Sequence, residues 1–424
     1  MRPVGRRAAL VATAGLLAAP FVSRRAWAQG AGGRVVVVGG GFAGATAART
    51  LRRADPALQV TLVESGLFHT ACPLSNSVIA GLREIDRQVF RYAAIAADGV
   101  AVVHGTARNV DAEARRVTLA DGATLDYDRL ILAPGIDIDW TGLPGYDEAA
   151  AEPMPHAWKA GPQTLLLRRQ LEAMEDGGVV AMSAPANPFR CPPGPYERAS
   201  LIAHYLKTRK PRSKLLLLDA KDVFSKQRLF TDAWAKLYPG IIEWVPLSKG
   251  GKVVRVDPAT RTVETEFDSH KAAVVNIIPP QRAGAIAAAA GVADRTGWCP
   301  IDPASFESRL RPGIHVLGDA AIAGAMPKSA FSANAQAKVA AIAVSGLLRG
   351  RAPAEPRLIN TCYSLVAPNY GISIAGVYRP RNGVLADIEG AGGTSPPDAP
   401  PEFRELEADH AETWFRTITA ETFG

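Results

Sequence analysis

Cys72, Cys191, Cys299 and Cys362 are the four thiols of a 424-residue chain, and none of them stands in a CxxC or CxxCH pattern. Four cysteines are too few for a disulfide-built scaffold. Without CxxCH the chain cannot attach its own c-type haem, so any such haem belongs to a partner. Cys191 is the most unusual of the four in its setting, "SAPANPFRCPPGPYERAS" from Ser183 to Ser200. That stretch joins a strand-like run to a helix-like run, where a second glycine-rich nucleotide loop is expected. His69, His104, His156, His204, His270, His315 and His410 are scattered singly, so no metal site is expected. No GxSxG or comparable motif points to a hydrolase.

The glycines carry a second kind of chemistry. In "RVVVVGGGFAGATAARTLRRADPALQVTLVES", a buried strand at Arg34–Val38 leads into a glycine turn, an alanine-rich helix and a second strand ending near Glu64. Gly39, Gly41 and Gly44 make GxGxxG, which permits a tight turn, close approach to a pyrophosphate and close helix packing. The helix N-terminus favours the anion, and the Glu64 carboxylate can accept from a ribose hydroxyl. Further on, "YDRLILAPG" and "RPGIHVLGDAA" resemble the strand and the GD signature of two-dinucleotide flavoproteins. In that signature Gly318 lets the chain come close, and Asp319 bonds the ribityl or pyrophosphate end. Their order behind GxGxxG predicts FAD.

From about Ala151 the pattern restarts, with "GGVVAMSA" as a strand, "YERASLIAHYLKTR" as a helix and "KLLLLDA" as a strand ending at Asp219. Such a βαβ unit binds NAD(P)H in glutathione-reductase-like enzymes. Here Pro185, Pro188, Pro192, Pro193 and Pro195 offer no backbone N–H and restrict the loop. NAD(P)H is therefore not expected to bind, and the loop is expected to position Cys191.

The first 28 residues, with a basic start, an apolar run from Ala8 to Val22 and the ending Ala26-Trp27-Ala28, read as an export signal. Arg6 and Arg7 before the apolar run suggest the twin-arginine route and a periplasmic destination, where disulfides persist. Of 48 Lys+Arg and 41 Asp+Glu, five arginines and no acids lie in this leader. The rest of the chain is thus near charge balance, with no electrostatic footprint for nucleic acid or an anionic membrane.

The expected fold class is α/β, a two-dinucleotide-binding Rossmann flavoprotein of the glutathione-reductase-like kind with a C-terminal α+β domain. Residues 30–145 and 280–351 would form a discontinuous FAD-binding domain, 146–279 the second domain without a nucleotide loop, and 352–424 the last one. "MPKSAFSANAQAKVAAIAVSGLLRG", Met326 to Gly350, reads as a long helix starting near the flavin ring. "NTCYSLVAPNYGISIAGVYRP" reads as paired strands and "EFRELEADHAETWFRTITAETF" as a closing helix. This tail lacks the long basic amphipathic helices expected of a quinone enzyme on a membrane.

The stretches "FHTACPLSNSVIAG", "FRCPPGPYERAS", "GWCPID", "VLGDAA" and "LINTCYSLVAPNYGISIAGVYRP" together resemble the flavoprotein subunit of flavocytochrome c sulfide dehydrogenase. The resemblance implies a flavin held covalently at Cys72 as an 8α-S-cysteinyl thioether. It implies a redox disulfide between Cys191 and Cys362, with Glu197 as the acidic residue beside it and a c-type cytochrome subunit as partner. Cys299 gets no role and reads as a buried structural thiol. Glu197 also reads more simply as a first-turn carboxylate favouring a helix dipole. A disulfide is the natural electrophile for hydrosulfide, giving a persulfide and a free thiolate. Sulfide:quinone oxidoreductases share the scaffold and form the nearest alternative; a non-catalytic flavin scaffold or docking subunit is the third.

Overall fold

The valine run Arg34–Val38 is the central strand of a five-stranded parallel sheet in the computed structural model, which describes residues 32–424. The order is Ile314–Val316, Arg129–Leu132, Arg34–Val38, Gln59–Glu64, Ala101–His104, with every pair parallel. Val35 to Val38 are all buried, as a strand covered on both faces requires. The helices Phe42–Ala54 and Ala330–Leu348 pack against each other through buried alanines. The leader, residues 1–28, lies outside the described residues.

A second parallel sheet follows in the order Ile242–Val245, Lys214–Asp219, Val179–Ala184, Val274–Ile277. Each parallel sheet also carries a three-stranded antiparallel meander, placed in the chain just before the sheet's next strand. In the first unit the meander spans residues 107–126 and in the second 253–271. The repeat is therefore deeper than the βαβ pattern alone suggests. An antiparallel pair, Ile136–Ile138 with Gln281–Ala283, marks where the chain passes out to the second unit and back.

Strands Leu358–Ala367 and Tyr370–Arg381 form a long hairpin extended by Val384–Asp387. The closing helix Pro401–Phe423 packs on it and returns to the first unit. There Thr422 Oγ1 meets Thr46 Oγ1 at 3.1 Å, and Arg49 donates to the Glu421 carbonyl at 2.8 Å. Phe423 stacks on Phe90 and His69 at 5.1 and 5.3 Å between ring centroids. The end of the chain is thus built into the wall of the first nucleotide unit. Among the described residues, no helix is long and apolar enough to cross a membrane.

Candidate active site

A cavity of about 460 Å³ opens at the carboxyl ends of the first sheet's strands, the place where open α/β sheets bind ligands. Cys72, Cys191, Cys362, Glu197, Gly39, Gly41, Glu64, Gly318 and Asp319 all reach its wall. Gly44 does not line it; it serves packing, because a Cβ there would come within 1.8 Å of the Gly39 carbonyl oxygen.

The pyrophosphate turn is built as its glycines require. Gly39 has φ +100° and donates to the Val63 carbonyl at 2.9 Å. A Cβ on Gly40 would strike the Tyr92 hydroxyl at 2.7 Å. The Glu64 carboxylate accepts from the Gly40 N–H at 2.6 Å and the Gly66 N–H at 2.9 Å. It therefore braces the turn; Oε1 also accepts from Ser65 Oγ at 3.1 Å, and Oε2 retains a lone pair for a ribose hydroxyl.

On the opposite side, Gly318 has φ +70° and its N–H donates to Gln336 Oε1 at 2.9 Å. The next residue, Asp319, has a buried Oδ1 without a hydrogen-bond partner. Desolvation raises its carboxyl above the usual range, against the pull of Arg190 and Lys328. Buried acceptors are normally paired, so an orphan carboxylate oxygen in a cavity wall fits the donor groups of a flavin dinucleotide. Lys328 holds the neighbouring backbone, donating to the Asp319 and Ala321 carbonyls at 2.7 and 2.8 Å while lying 3.9 Å from the Trp298 ring centroid.

The proline loop places Cys191 by a strained backbone. Cys191 has φ +58°, which a residue with a side chain adopts at a cost. Its N–H donates to the Lys328 carbonyl and its own carbonyl accepts from the Gly194 N–H, both at 2.8 Å. A Cβ on Gly194 would lie 3.0 Å from the Cys191 sulfur and 2.9 Å from Trp158. Glycine at 194 leaves the room in which the thiol turns. Cys362 sits on the hairpin strand, with Sγ 3.3 Å from the Asn360 amide nitrogen. The same Asn360 accepts from Ser329 and Ser332 at 2.6 and 3.1 Å, so the Cys362 strand is tied to the start of helix Ala330–Leu348. Cys72 lies across the cavity, its Sγ 3.9 Å from the Trp158 carbonyl, which also receives the Arg190 guanidinium. All four cysteines are free thiols in the structure. Cys299 is fully buried, and desolvation pushes its thiol up to about 12.

Glu197 is in the first turn of helix Gly194–Arg209 and is buried. Desolvation pushes its carboxyl up to about 7, opposed by Lys226, Arg198, the Leu365 N–H and Asn76. Sequence reading did not single out the cations around it. Arg198, 2% exposed, donates to the His156 and Ala157 carbonyls and to the Asn76 and Asn276 side chains at 2.6–3.0 Å. Lys226, φ +61°, donates to the Cys362 carbonyl at 2.9 Å and Ser364 Oγ at 2.8 Å. Lys226 lies in an ordinary-looking loop, "KDVFSKQRL", and only the tertiary fold brings it to the cysteines.

In the second unit, Asp219 at the end of strand Lys214–Asp219 is turned inward. It accepts from the Tyr196 hydroxyl at 2.7 Å, Trp244 Nε1 at 3.1 Å and Lys221 Nζ at 2.6 Å. Phe224 stacks on Tyr196 at 3.6 Å, and Lys221 reaches on to the Pro185 carbonyl at 2.6 Å. Among the described residues, no group of three or more His, Cys, Asp or Glu is placed to hold a metal ion.

Comparison with known proteins agrees with this layout. Residues 164–279 match the family described as sulfide dehydrogenase (flavocytochrome c) flavoprotein chain, central, and 354–423 match flavocytochrome c sulphide dehydrogenase, flavin-binding. Residues 33–161 match pyridine nucleotide-disulphide oxidoreductase. The sulfide dehydrogenase (flavocytochrome c) flavoprotein chain of Chlorobaculum thiosulfatiphilum is 58% identical over 45 residues, 94% of that sequence and 11% of this chain. The mitochondrial sulfide:quinone oxidoreductase of Mus musculus is 23% identical over 307 residues, and the match spans 65% of its length and 67% of this chain. Among solved structures, the sulfide:quinone oxidoreductase of Aquifex aeolicus superposes with a TM-score of 0.73 at 17% identity, covering 92% of both chains. Putidaredoxin reductase, in its covalent complex with putidaredoxin, gives 0.64 at 19% identity, covering 89% of this chain and 93% of that one. These likenesses establish the two-unit Rossmann flavoprotein fold and FAD as its cofactor.

Proposed function

The chain belongs to the family of flavocytochrome c sulfide dehydrogenase flavoprotein subunits, and from that premise we propose that it oxidises hydrosulfide to zero-valent sulfur or polysulfide and passes the electrons to a c-type cytochrome. The observation that carries this reading is the meeting of Cys191, Cys362 and Glu197 in the cavity that also holds the dinucleotide turn. Cys191 and Cys362 are a redox pair, here as thiols, and their disulfide is the electrophile for hydrosulfide. FAD, when bound, supplies a two-electron acceptor that can hand on electrons singly to a haem.

The protein's own residues have separable tasks. Cys191 presents a sulfur from a loop fixed to Lys328. Glu197, held near neutrality by burial, exchanges a proton with the sulfur species. Gly39, Gly41, Glu64, Gly318 and Asp319 hold the dinucleotide, with Gly44 packing behind them, and Cys72 tethers the flavin as an 8α-S-cysteinyl thioether. A tether suits a protein exported to the periplasm by its leader, where lost FAD is not readily replaced. NAD(P)H is not the donor, because the second unit's loop lacks pyrophosphate donors and Asp219 is already bonded to three partners.

Anaerobic mixing with sulfide tests the reaction. Sulfide should bleach the flavin band of the unmutated protein, and Cys191→Ser or Cys362→Ser should abolish bleaching with the flavin still bound. Near-normal reduction in either variant would overturn the disulfide mechanism. Acceptor choice separates a cytochrome enzyme from a quinone enzyme, and a haem protein should accompany the chain when it is purified from the periplasm.

A further inference from the structure

Lys226 belongs to the second unit, yet its side chain ends in the hairpin. Its Nζ donates to the Cys362 carbonyl at 2.9 Å, Ser364 Oγ at 2.8 Å and the Ile372 carbonyl at 3.4 Å, and lies 5.7 Å from the Phe230 ring centroid. Every one of these direct partners is neutral. Lys226 is only 6% exposed. A buried ammonium is costly unless an anion faces it.

The charged and titratable groups around it come from four elements. They are Cys362 from the hairpin strand, Glu197 from helix Gly194–Arg209, Cys191 from the proline loop and Glu407 from the closing helix. Glu407 is already engaged by Arg404, Ser373 and Ser395 at 3.2, 2.7 and 2.6 Å. Glu197, raised by desolvation to about 7, carries only about half a charge at pH 7. The nearby Arg198 gives four of its five N–H groups to neutral acceptors. The anion that Lys226 lacks is therefore one that forms at the cysteines.

Resting on the disulfide reading above, we propose that Lys226 is the counter-ion for Cys362 thiolate, a positioning residue that decides which sulfur leaves. Hydrosulfide attacks Cys191 Sγ and forms a new S–S bond, while its proton stays on the resulting persulfide. The Cys191–Cys362 bond breaks, and both of its electrons depart on Cys362 Sγ. One negative charge enters and one remains, now on the residue whose carbonyl already binds the ammonium.

The test reads the thiolate directly. In Cys191→Ser protein with flavin bound, Cys362 is left unpaired, and its capture by iodoacetamide is followed by peptide mass spectrometry. Adding Lys226→Gln should slow capture at pH 7 about tenfold, the loss of one nearby opposite charge; Lys226→Arg should keep it fast. Equal rates with glutamine overturn the proposal. A second comparison needs no change at Lys226. An ordinary thiol with pKa about 8.5 reacts about twenty-five-fold faster at pH 9 than at pH 7, whereas a thiolate already held by Lys226 should gain less than about threefold. A gain near that of an ordinary thiol overturns the idea even if the glutamine variant does not fold. Failure of the sulfide reaction itself shows separately, as flavin bleaching by sulfide that survives in Cys191→Ser.

Discussion

Replacing Glu197 with Gln should change the pH dependence of stability by an amount set by burial. Glu197 is 7% exposed, and desolvation lifts its carboxyl from 4.5 to about 7 despite Lys226 and Arg198. A shift of that size corresponds to roughly 3 kcal/mol. The folded state binds this proton more tightly than the unfolded chain does. Its contribution is therefore fully present below about 4.5 and is lost as pH rises through about 7, at up to about 1.4 kcal/mol per pH unit. Half-buried His69 and buried His156 and His315, each lowered by desolvation from 6.5 to about 4, act in an overlapping window with the opposite sign. The curve of the unmutated protein therefore mixes the two effects. The difference between Glu197→Gln and the unmutated protein removes the His69 and His315 effects, since sites without shared partners add, and leaves only the coupling to His156 through their common neighbour Arg198. Lys226, lowered by desolvation to about 8, stays mostly protonated over this range. Denaturant unfolding at pH 4.5 to 7.5 should show the difference moving by roughly 3 kcal/mol in favour of the variant. A difference that stays flat across that range would refute the assignment of Glu197 as a buried acid.

The flavin should stay with the polypeptide after acid denaturation, and Cys72→Ala should release it; quantitative release from the unmutated protein would overturn the tether. NADH and NADPH should fail to bleach the flavin in a stopped-flow experiment, and rapid bleaching would show that the second unit's loop has been misread. His315 is buried with Nδ1 2.9 Å from the Ser305 carbonyl, and burial lowers it from 6.5 to about 4. The stability this gives is present above 6.5 and lost toward pH 4, about 3 kcal/mol in all. Replacing His315 with Asn should flatten that acid limb in the same denaturant series; an unchanged limb would contradict it.

Local signals in the sequence identify the parts that local physics dictates. The valine strand, the glycine turn, the GD turn and the paired strands after Arg357 all depend on runs of a few residues, and the fold contains them. The helix expected from Met326 begins at Ala330 instead. Pro327 brings no N–H, and Ser329 caps the helix by accepting from the Ser332 N–H at 3.0 Å. The alanine pattern shows no such boundary. The meanders at 107–126 and 253–271 are made of strands of three to five residues, too short for alternation to stand out. Around the site, the cysteines and Glu197 are legible from motif matches. Lys226, Arg198 and Lys328 are not, because a lysine or arginine gives no sign in one dimension that it will be buried.

On the proposed reading, the loss of a nucleotide loop and the gain of a thiol have one physical cause, which lies in how the two units differ at equivalent places. In the first unit the strand-to-helix turn is glycine and lines the cavity, and Glu64 at the end of the next strand braces it by accepting from the Gly40 N–H. In the second unit the turn is proline-rich and the equivalent acid, Asp219, survives but is drawn inward by Tyr196, Trp244 and Lys221. Lys221 then links that acid to the Pro185 carbonyl, so the carboxylate stiffens the loop, and on the proposed reading it receives no ribose. Stiffness is what Cys191 needs, since a φ of +58° persists only where the surrounding structure holds it. A mobile glycine loop would let the thiol relax away from Cys362. On the proposed reading, the prolines that remove the nucleotide donors are the same residues that hold the sulfur in place, and the inward carboxylate serves that one purpose.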